Sequence, residues 1–141
     1  MPQQEKITKK LDLDKRAQVT GVRIVAKTAN YTVDKLLDSG SYIIADNSSQ
    51  AIFFTLPPVN ACNGQYWNFF TANAGIMQIC GDALNVNNIV DDYGVSQYAI
   101  NFGLKAEGHG CRMICSGTKY YVVGCNPFAS STQVNVSYQQ G

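Results

Sequence analysis

The segment from Tyr31 to Gly124 consists of short apolar runs separated by glycine, asparagine and aspartate. Typical runs are 41–45 (Ser-Tyr-Ile-Ile-Ala), 51–57 (Ala-Ile-Phe-Phe-Thr-Leu-Pro) and 119–124 (Lys-Tyr-Tyr-Val-Val-Gly). Many short runs of this kind, bounded by turn-forming residues, are typical of the strands of a sandwich or a barrel. This pattern therefore predicts an all-β fold.

The spacing of the runs predicts how they are arranged. Turn signals recur about every 8–12 residues, which favours a single antiparallel β-sandwich or jelly-roll-like domain of about nine or ten strands. A tight hairpin is expected at Ser116-Gly117-Thr118. Pro57-Pro58 should end the strand predicted at 51–56, because proline cannot donate a hydrogen bond to a β-ladder. Ten strands are expected, at 19–26, 31–36, 41–45, 51–56, 66–71, 76–80, 97–102, 111–115, 119–123 and 132–138, and 84–90 is a candidate for one further short strand.

The charge distribution divides the chain into an arm and a body. Residues 1–30 carry seven basic and three acidic side chains, a net charge of +4, whereas residues 31–141 carry four and seven, a net charge of −3. We therefore expect a basic N-terminal arm at 1–17 and one β-domain at 18–141. The arm is either a solvated tail or a segment that docks on an acidic surface. The arm residues predicted to contact a partner are Lys6, Lys9, Lys10, Lys15 and Arg16.

The first residues are polar and no run approaches the length of a membrane helix, so we expect synthesis in the cytoplasm and no membrane partner. Basic residues interleaved with aromatic ones are missing from the body, which argues against binding to single-stranded nucleic acid. The five cysteines are irregularly spaced, and we interpret them most simply as reduced residues of the core. A disulfide formed once the chain leaves the reducing cytoplasm is the alternative.

Little in the sequence points to catalysis or to a bound cofactor. His109 is the single histidine and is flanked by glycines, so it is a poor platform for a positioned base. Cys111 and Cys115 lack the second pair of ligands that tetrahedral zinc requires. We therefore predict a protein that is not an enzyme and that holds no metal and no cofactor.

Two surface features are candidate contact sites. Asp91 and Asp92, near Asp82, have no calcium-loop spacing, and their most plausible functional use is to dock the basic arm of a neighbouring subunit. The aromatic run 66–70 is a candidate platform for stacking on sugars, with Trp67 as the candidate contact, although alternation must send at least one face of this run into the core.

The order of these motifs resembles β-rich virion proteins of tailed bacteriophages, namely head decoration (cement) proteins and fibre or spike modules. The residues that carry the resemblance are Gly-Ser-Tyr-Ile-Ile-Ala-Asp-Asn-Ser, Ile-Phe-Phe-Thr-Leu-Pro, Asn-Gly-Gln-Tyr-Trp-Asn-Phe-Phe and Ser-Gly-Thr-Lys-Tyr-Tyr-Val-Val-Gly, which lie within 31–124, about two-thirds of the chain.

The resemblance implies a capsid decoration subunit on the outer surface of the virion. Its partners would be the major capsid protein and further copies of itself, in a homotrimer, and the basic arm would grip the capsid or a neighbouring subunit. The alternative is a tail-fibre or spike module that binds carbohydrate on the host surface.

Overall fold

The computed structural model describes residues 22–47, 49–72, 76–83, 86–91, 94–103, 108–126 and 136–139. Twelve β-strands and one short 3-10 helix (Val59–Ala61) lie within these ranges, which confirms the all-β prediction. The strands are β1 (Ile24–Lys27), β2 (Tyr31–Thr32), β3 (Tyr42–Ala45), β4 (Ile52–Thr55), β5 (Tyr66–Thr71), β6 (Met77–Cys80), β7 (Ile89–Val90), β8 (Ser96–Gln97), β9 (Ala99–Phe102), β10 (Gly110–Cys115), β11 (Tyr120–Asn126) and β12 (Val136–Gln139).

The strands form two sheets. A seven-stranded sheet has the order β1-β3-β5-β10-β11-β7-β8, and a five-stranded sheet has the order β12-β9-β6-β4-β2. Among the described residues, five of the ten strand pairs are parallel and five are antiparallel. The prediction of an antiparallel domain is therefore wrong for half of the pairing.

The first six strands explain this difference. They alternate between the two sheets along the chain, and neighbours are parallel in both the β1-β3-β5 row and the β2-β4-β6 row. Parallel neighbours cannot be joined by a hairpin, so the chain must leave a sheet and return to it. Here it returns by way of the other sheet. A period-two apolar pattern shows which face of a strand is buried but not the direction of its neighbour.

The later strands include the expected hairpin. β10 and β11 are antiparallel, and the turn between them has Gly117 at a φ of 91°, a conformation that glycine adopts without strain. The Ser116 hydroxyl accepts a hydrogen bond from the Lys119 amide at 3.1 Å and stabilises the turn. The strand predicted at 97–102 is instead two strands, since β8 belongs to the seven-stranded sheet and β9 to the five-stranded sheet.

The strand predicted at 31–36 is shorter than expected. It ends at Thr32, because the Asp34 carboxylate accepts hydrogen bonds from the amides of Leu36 and Leu37 at 2.8 and 2.9 Å and turns the chain. Of the strands predicted at 84–90 and 132–138, the structure describes β7 and β12. Residues 84–85 and 132–135 lie outside the described residues.

One hydrophobic core receives side chains from both sheets. Phe54 on β4 and Phe69 on β5 belong to different sheets, and their ring centroids are 5.6 Å apart. Tyr120 on β11 is also fully buried, and its hydroxyl donates to the Pro57 carbonyl and lies 3.1 Å from an Asp82 carboxylate oxygen. The largest fully buried side chains are Trp67, Tyr120, Phe54, Phe69, Phe102, Ile43, Ile52, Leu56, Met77, Ile79, Ile89 and Ile100.

Candidate functional site

The structure changes the interpretation of Trp67. Its side chain is 0% exposed, because it lies on the inner face of β5 within the core. A sugar cannot stack on a ring that has no accessible surface, so the prediction of glycan contact at Trp67 is wrong for this fold. The neighbouring Tyr66 points the other way and is 41% exposed.

Asp91 also has a structural position. It is only 7% exposed, and its two carboxylate oxygens accept hydrogen bonds from the Val95 amide at 2.8 Å and the Gln97 side-chain amide at 2.9 Å. These bonds tie the residue that follows β7 to Val95 and to β8. A carboxylate held in this way is not a free docking patch, so that prediction is wrong for Asp91, whereas Asp92 lies outside the described residues.

The predicted arm at 1–17 lies outside the described residues as well, with Lys6, Lys9, Lys10, Lys15 and Arg16.

His109 is partly exposed, and its Nδ1 atom is buried with no hydrogen-bond partner in the described part of the chain. No group of three or more His, Cys, Asp or Glu side chains that could hold a metal ion occurs within the described ranges. No helix among them is long and apolar enough to cross a membrane.

The outer face of the seven-stranded sheet, formed by outward-facing side chains of β3, β5, β10 and β11, is the strongest candidate site. Along one row, Tyr66 is opposite Ile114, which is opposite Tyr121. Along the next, Arg112 is opposite Val123. All five side chains are exposed. The exposed fraction of the four aromatic and aliphatic ones ranges from 37% for Ile114 to 46% for Val123. Apolar and aromatic groups thus form a continuous patch on a central part of the sheet.

A groove of about 440 Å³ crosses the same face. Tyr42 and Phe70 line it with an edge-to-face ring pair, whose centroids are 6.0 Å apart. Gly110 lies in the groove where β10 passes β5, and a Cβ atom there would come within 1.7 Å of the Phe69 carbonyl oxygen. The missing side chain therefore allows the close approach of the two strands and keeps this part of the groove open.

Arg112 provides the charge at this groove, and its neighbours hold its orientation. Its Nε donates to the Asn68 side-chain oxygen at 2.7 Å, and its guanidinium lies over the Tyr66 ring at 5.3 Å from the centroid. Asn68 is itself held by donation to the Ser41 carbonyl at 3.4 Å. An arginine fixed by one edge can offer its remaining donors to a planar or anionic group. The groove therefore combines aromatic walls with a guanidinium group whose orientation is fixed.

A second exposed apolar feature is the loop between β2 and β3. Leu36 is 78% exposed at its tip, beside the exposed Leu37. The loop is held by Asp38, which is fully buried and accepts hydrogen bonds from Tyr31, the Asp34 amide and Arg23. Burial raises the pKa of Tyr31 to about 12, and the hydrogen bond to Asp38 and its charge add to the effect.

Sequence reasoning did not select Arg112 or Tyr42, and it included Phe70 only as a member of the aromatic run 66–70. The available signal was the alternation of exposed aromatic, aliphatic and basic side chains on several runs at once. These runs become one surface only when β5 is placed between β3 and β10, and that order is set by the tertiary structure.

Comparisons with family models, with curated proteins and with solved structures found no match to this chain.

Proposed function

We propose that this chain is a non-enzymatic virion structural protein, a decoration (cement) subunit bound to the outer surface of a capsid. The observation that carries the proposal is the exposed apolar patch on the seven-stranded sheet, where Tyr66, Ile114, Tyr121 and Val123 lie on adjacent strands. Contiguous exposed apolar patches on small proteins are often interaction surfaces.

In this proposal the two sheets pack face to face as a sandwich, which supplies a stiff platform for the patch. The partners are the major capsid protein and further copies of this chain, arranged as a homotrimer. Each subunit would bury about 800 Å² against each partner, and several such contacts in one trimer would multiply the strength of attachment. Loss of one shell subunit would then require several contacts to break together.

The basic arm at 1–17 supplies the second contact in this proposal. Its support is the charge difference between residues 1–30, at +4, and residues 31–141, at −3. Lys6, Lys9, Lys10, Lys15 and Arg16 would attach to an acidic surface on the shell or on a neighbouring subunit. Such attachment weakens as salt screens the charges.

Co-sedimentation with capsid shells of the same virus tests the role of the patch. Val123→Glu places a charge on the patch and should weaken attachment roughly tenfold or more, since a charge buried in an apolar contact lacks a partner. The matched control is Val86→Glu, because Val86 is also 46% exposed but lies in a loop outside the seven-stranded sheet. Equal attachment of both variants would contradict the role of the patch.

Two further measurements test the rest of the proposal. Removal of residues 1–17 should leave a folded domain that attaches poorly, and unchanged attachment would refute the role of the arm. Sedimentation equilibrium should give the mass of a trimer. A stable monomer at all accessible concentrations would contradict self-association.

The groove favours a second candidate function, a tail-fibre or spike module that binds host carbohydrate. Tyr42 and Phe70 offer aromatic surface, and Arg112 and Asn68 offer polar groups beside it. Binding to a glycan array should then be lost in Arg112→Ala. Lys119→Ala is the control, since Lys119 also carries a positive charge but donates to the Asn87 carbonyl away from the groove. Absence of any saturable glycan binding would leave the decoration role alone.

A further inference from the structure

The fold brings Cys62 and Cys115 into contact although 53 positions separate them in the chain. Their sulfur atoms are 2.9 Å apart, and each side chain is only 1% exposed. A disulfide bond has a length of about 2.05 Å, so a movement of roughly 1 Å would join the two atoms. Nothing in the sequence singled out this pair among the five cysteines.

The surrounding backbone holds both residues in place without a bond between them. Cys62 follows the 3-10 helix in the connection from β4 to β5, and Cys115 ends β10. The Gly64 amide donates to the Cys115 carbonyl at 2.8 Å, and the Cys115 amide donates to the Gln65 carbonyl at 2.8 Å. The two chain segments are therefore already paired, and closing the bond would require little movement of the backbone.

We propose that Cys62 and Cys115 form a structural disulfide when the chain meets an oxidising medium that contains a low-molecular-weight disulfide. This inference does not depend on the proposed function. The bond would tie the connection between β4 and β5, which passes from one sheet to the other, to the end of β10. Because the closed loop is long, it should restrict the unfolded chain strongly.

The reaction is two successive thiol–disulfide exchanges. One cysteine loses its proton and attacks oxidised glutathione, which forms a mixed disulfide and releases one glutathione thiolate. The second cysteine then loses its proton, attacks the protein sulfur of the mixed disulfide and displaces the second glutathione. The protein thus loses two protons and two electrons, and the oxidant takes up both electrons as it becomes two thiols.

Burial sets when this reaction can occur. Loss of solvent raises the pKa of the Cys62 thiol, and the hydrogen bond to Cys115 raises it further, so the reactive thiolate is scarce in the closed fold. Formation should therefore accompany folding or an opening of the connection between β4 and β5. Once formed, the same burial should protect the bond from reductants.

Mass spectrometry of the full chain tests the proposal directly. Reduced protein is refolded from denaturant with oxidised glutathione, remaining thiols are alkylated after denaturation, and proteolytic peptides are analysed. The expected product is a peptide pair joined through Cys62 and Cys115, with a mass about 2 Da below the sum of the two peptides because two hydrogens have left. Quantitative alkylation of both cysteines, or linkage of either one to a different cysteine, would overturn the proposal.

Thermal unfolding gives a second readout. The oxidised chain should unfold roughly 5–15 °C above the same chain kept with a reductant. Most of this shift should be missing in Cys62→Ala and present in Cys80→Ala, in which a buried cysteine that donates to the Phe54 carbonyl is removed instead. An equal shift in wild type and Cys62→Ala would count against the bond.

Discussion

The two faces of the seven-stranded sheet are built from the same strands but meet different surroundings. On the inner face, β5, β10 and β11 place Trp67, Met113 and Val122 in the core. On the outer face, the alternate positions Ile114 and Tyr121 are also apolar but remain exposed. Burial of the inner face supplies folding free energy, and the outer face gains little from folding because it stays in water.

Apolar character on the outer face is therefore not needed for the fold. The exposed face of a sheet is usually polar, so the alternation that is typical of half-buried strands would be satisfied by polar residues there. The apolar outer face is therefore the best-supported interaction surface of this domain. Substitutions on the two faces of the sheet should therefore differ in their effect on stability.

The largest contrast is expected between two adjacent aromatic residues of β5. Trp67→Ala removes a fully buried ring and should lower the free energy of unfolding by about 3–5 kcal/mol. Tyr66→Ala removes an exposed ring that stacks with Arg112 and should cost less than about 1 kcal/mol. Urea unfolding of both variants measures the difference, and equal losses would contradict the distinction between the faces.

Gly110 is a position on the outer face where the fold does not tolerate a side chain. Gly110→Ala would press a methyl group against the Phe69 carbonyl and should cost about 1–3 kcal/mol, since β10 must move away from β5. Gly64→Ala is the control, because a Cβ there meets nothing within 4 Å and only the φ of 81° is unfavourable. That strain should cost about 1 kcal/mol. Denaturant unfolding that ranks Gly64→Ala as the worse variant would contradict this account of the groove.

Tyr120 makes the stability of the buried face depend on pH, because its side chain lies in the core. Burial raises the pKa of Tyr120 above its ordinary value, and the charge of Asp82 adds to this. Since the unfolded pKa is about 10, the stabilisation by the neutral hydroxyl is complete below pH 10 and is lost as the pH rises from there towards the folded value.

Tyr120→Phe should therefore cost about 1–2 kcal/mol at neutral pH, because the buried Pro57 carbonyl loses its donor, and should flatten the loss of stability above pH 10. Tyr121→Phe should leave the free energy of unfolding at neutral pH nearly unchanged, because this side chain is exposed. Urea unfolding across this range is the measurement, and a wild-type slope retained in Tyr120→Phe would count against Tyr120 as its source.

The smallest effect on stability is expected for Val123→Ser on the apolar patch. This side chain is exposed, so the free energy of unfolding should change by no more than about 0.5 kcal/mol. In the proposed decoration role, attachment to capsid shells should nevertheless weaken, because the apolar contact area shrinks. A large loss of stability with unchanged attachment would reverse the roles assigned to the two faces.

Much of the local structure could be predicted from short-range chemistry. The runs at 41–45, 51–56 and 66–71 contain the observed strands β3, β4 and β5, and the Ser116-Gly117-Thr118 turn lies where expected. These features depend on residues that are close in sequence, such as the Ser116 hydroxyl that holds its own turn.

The candidate site was far less predictable. Trp67 and Asp91 are chemically suited to binding, but one lies in the core and the other is held by Val95 and Gln97. Which of the two alternating faces is buried depends on packing against distant segments, and the local sequence of β5 has aromatic residues on both faces. The groove around Arg112 and Asn68 also requires the register between β10 and β5.

Local sequence is enough to establish that this chain forms short strands, where many of its turns lie and that positive charge is concentrated in residues 1–30. These properties follow from side-chain shape, backbone preferences and charge within a few residues. Tertiary structure alone decided that the first strands wind between two sheets as parallel neighbours, that Cys62 meets Cys115, and that Tyr66 faces water while Trp67 does not. Each of these results depends on pairing between distant segments, whose free energy is set by the packing of the whole domain.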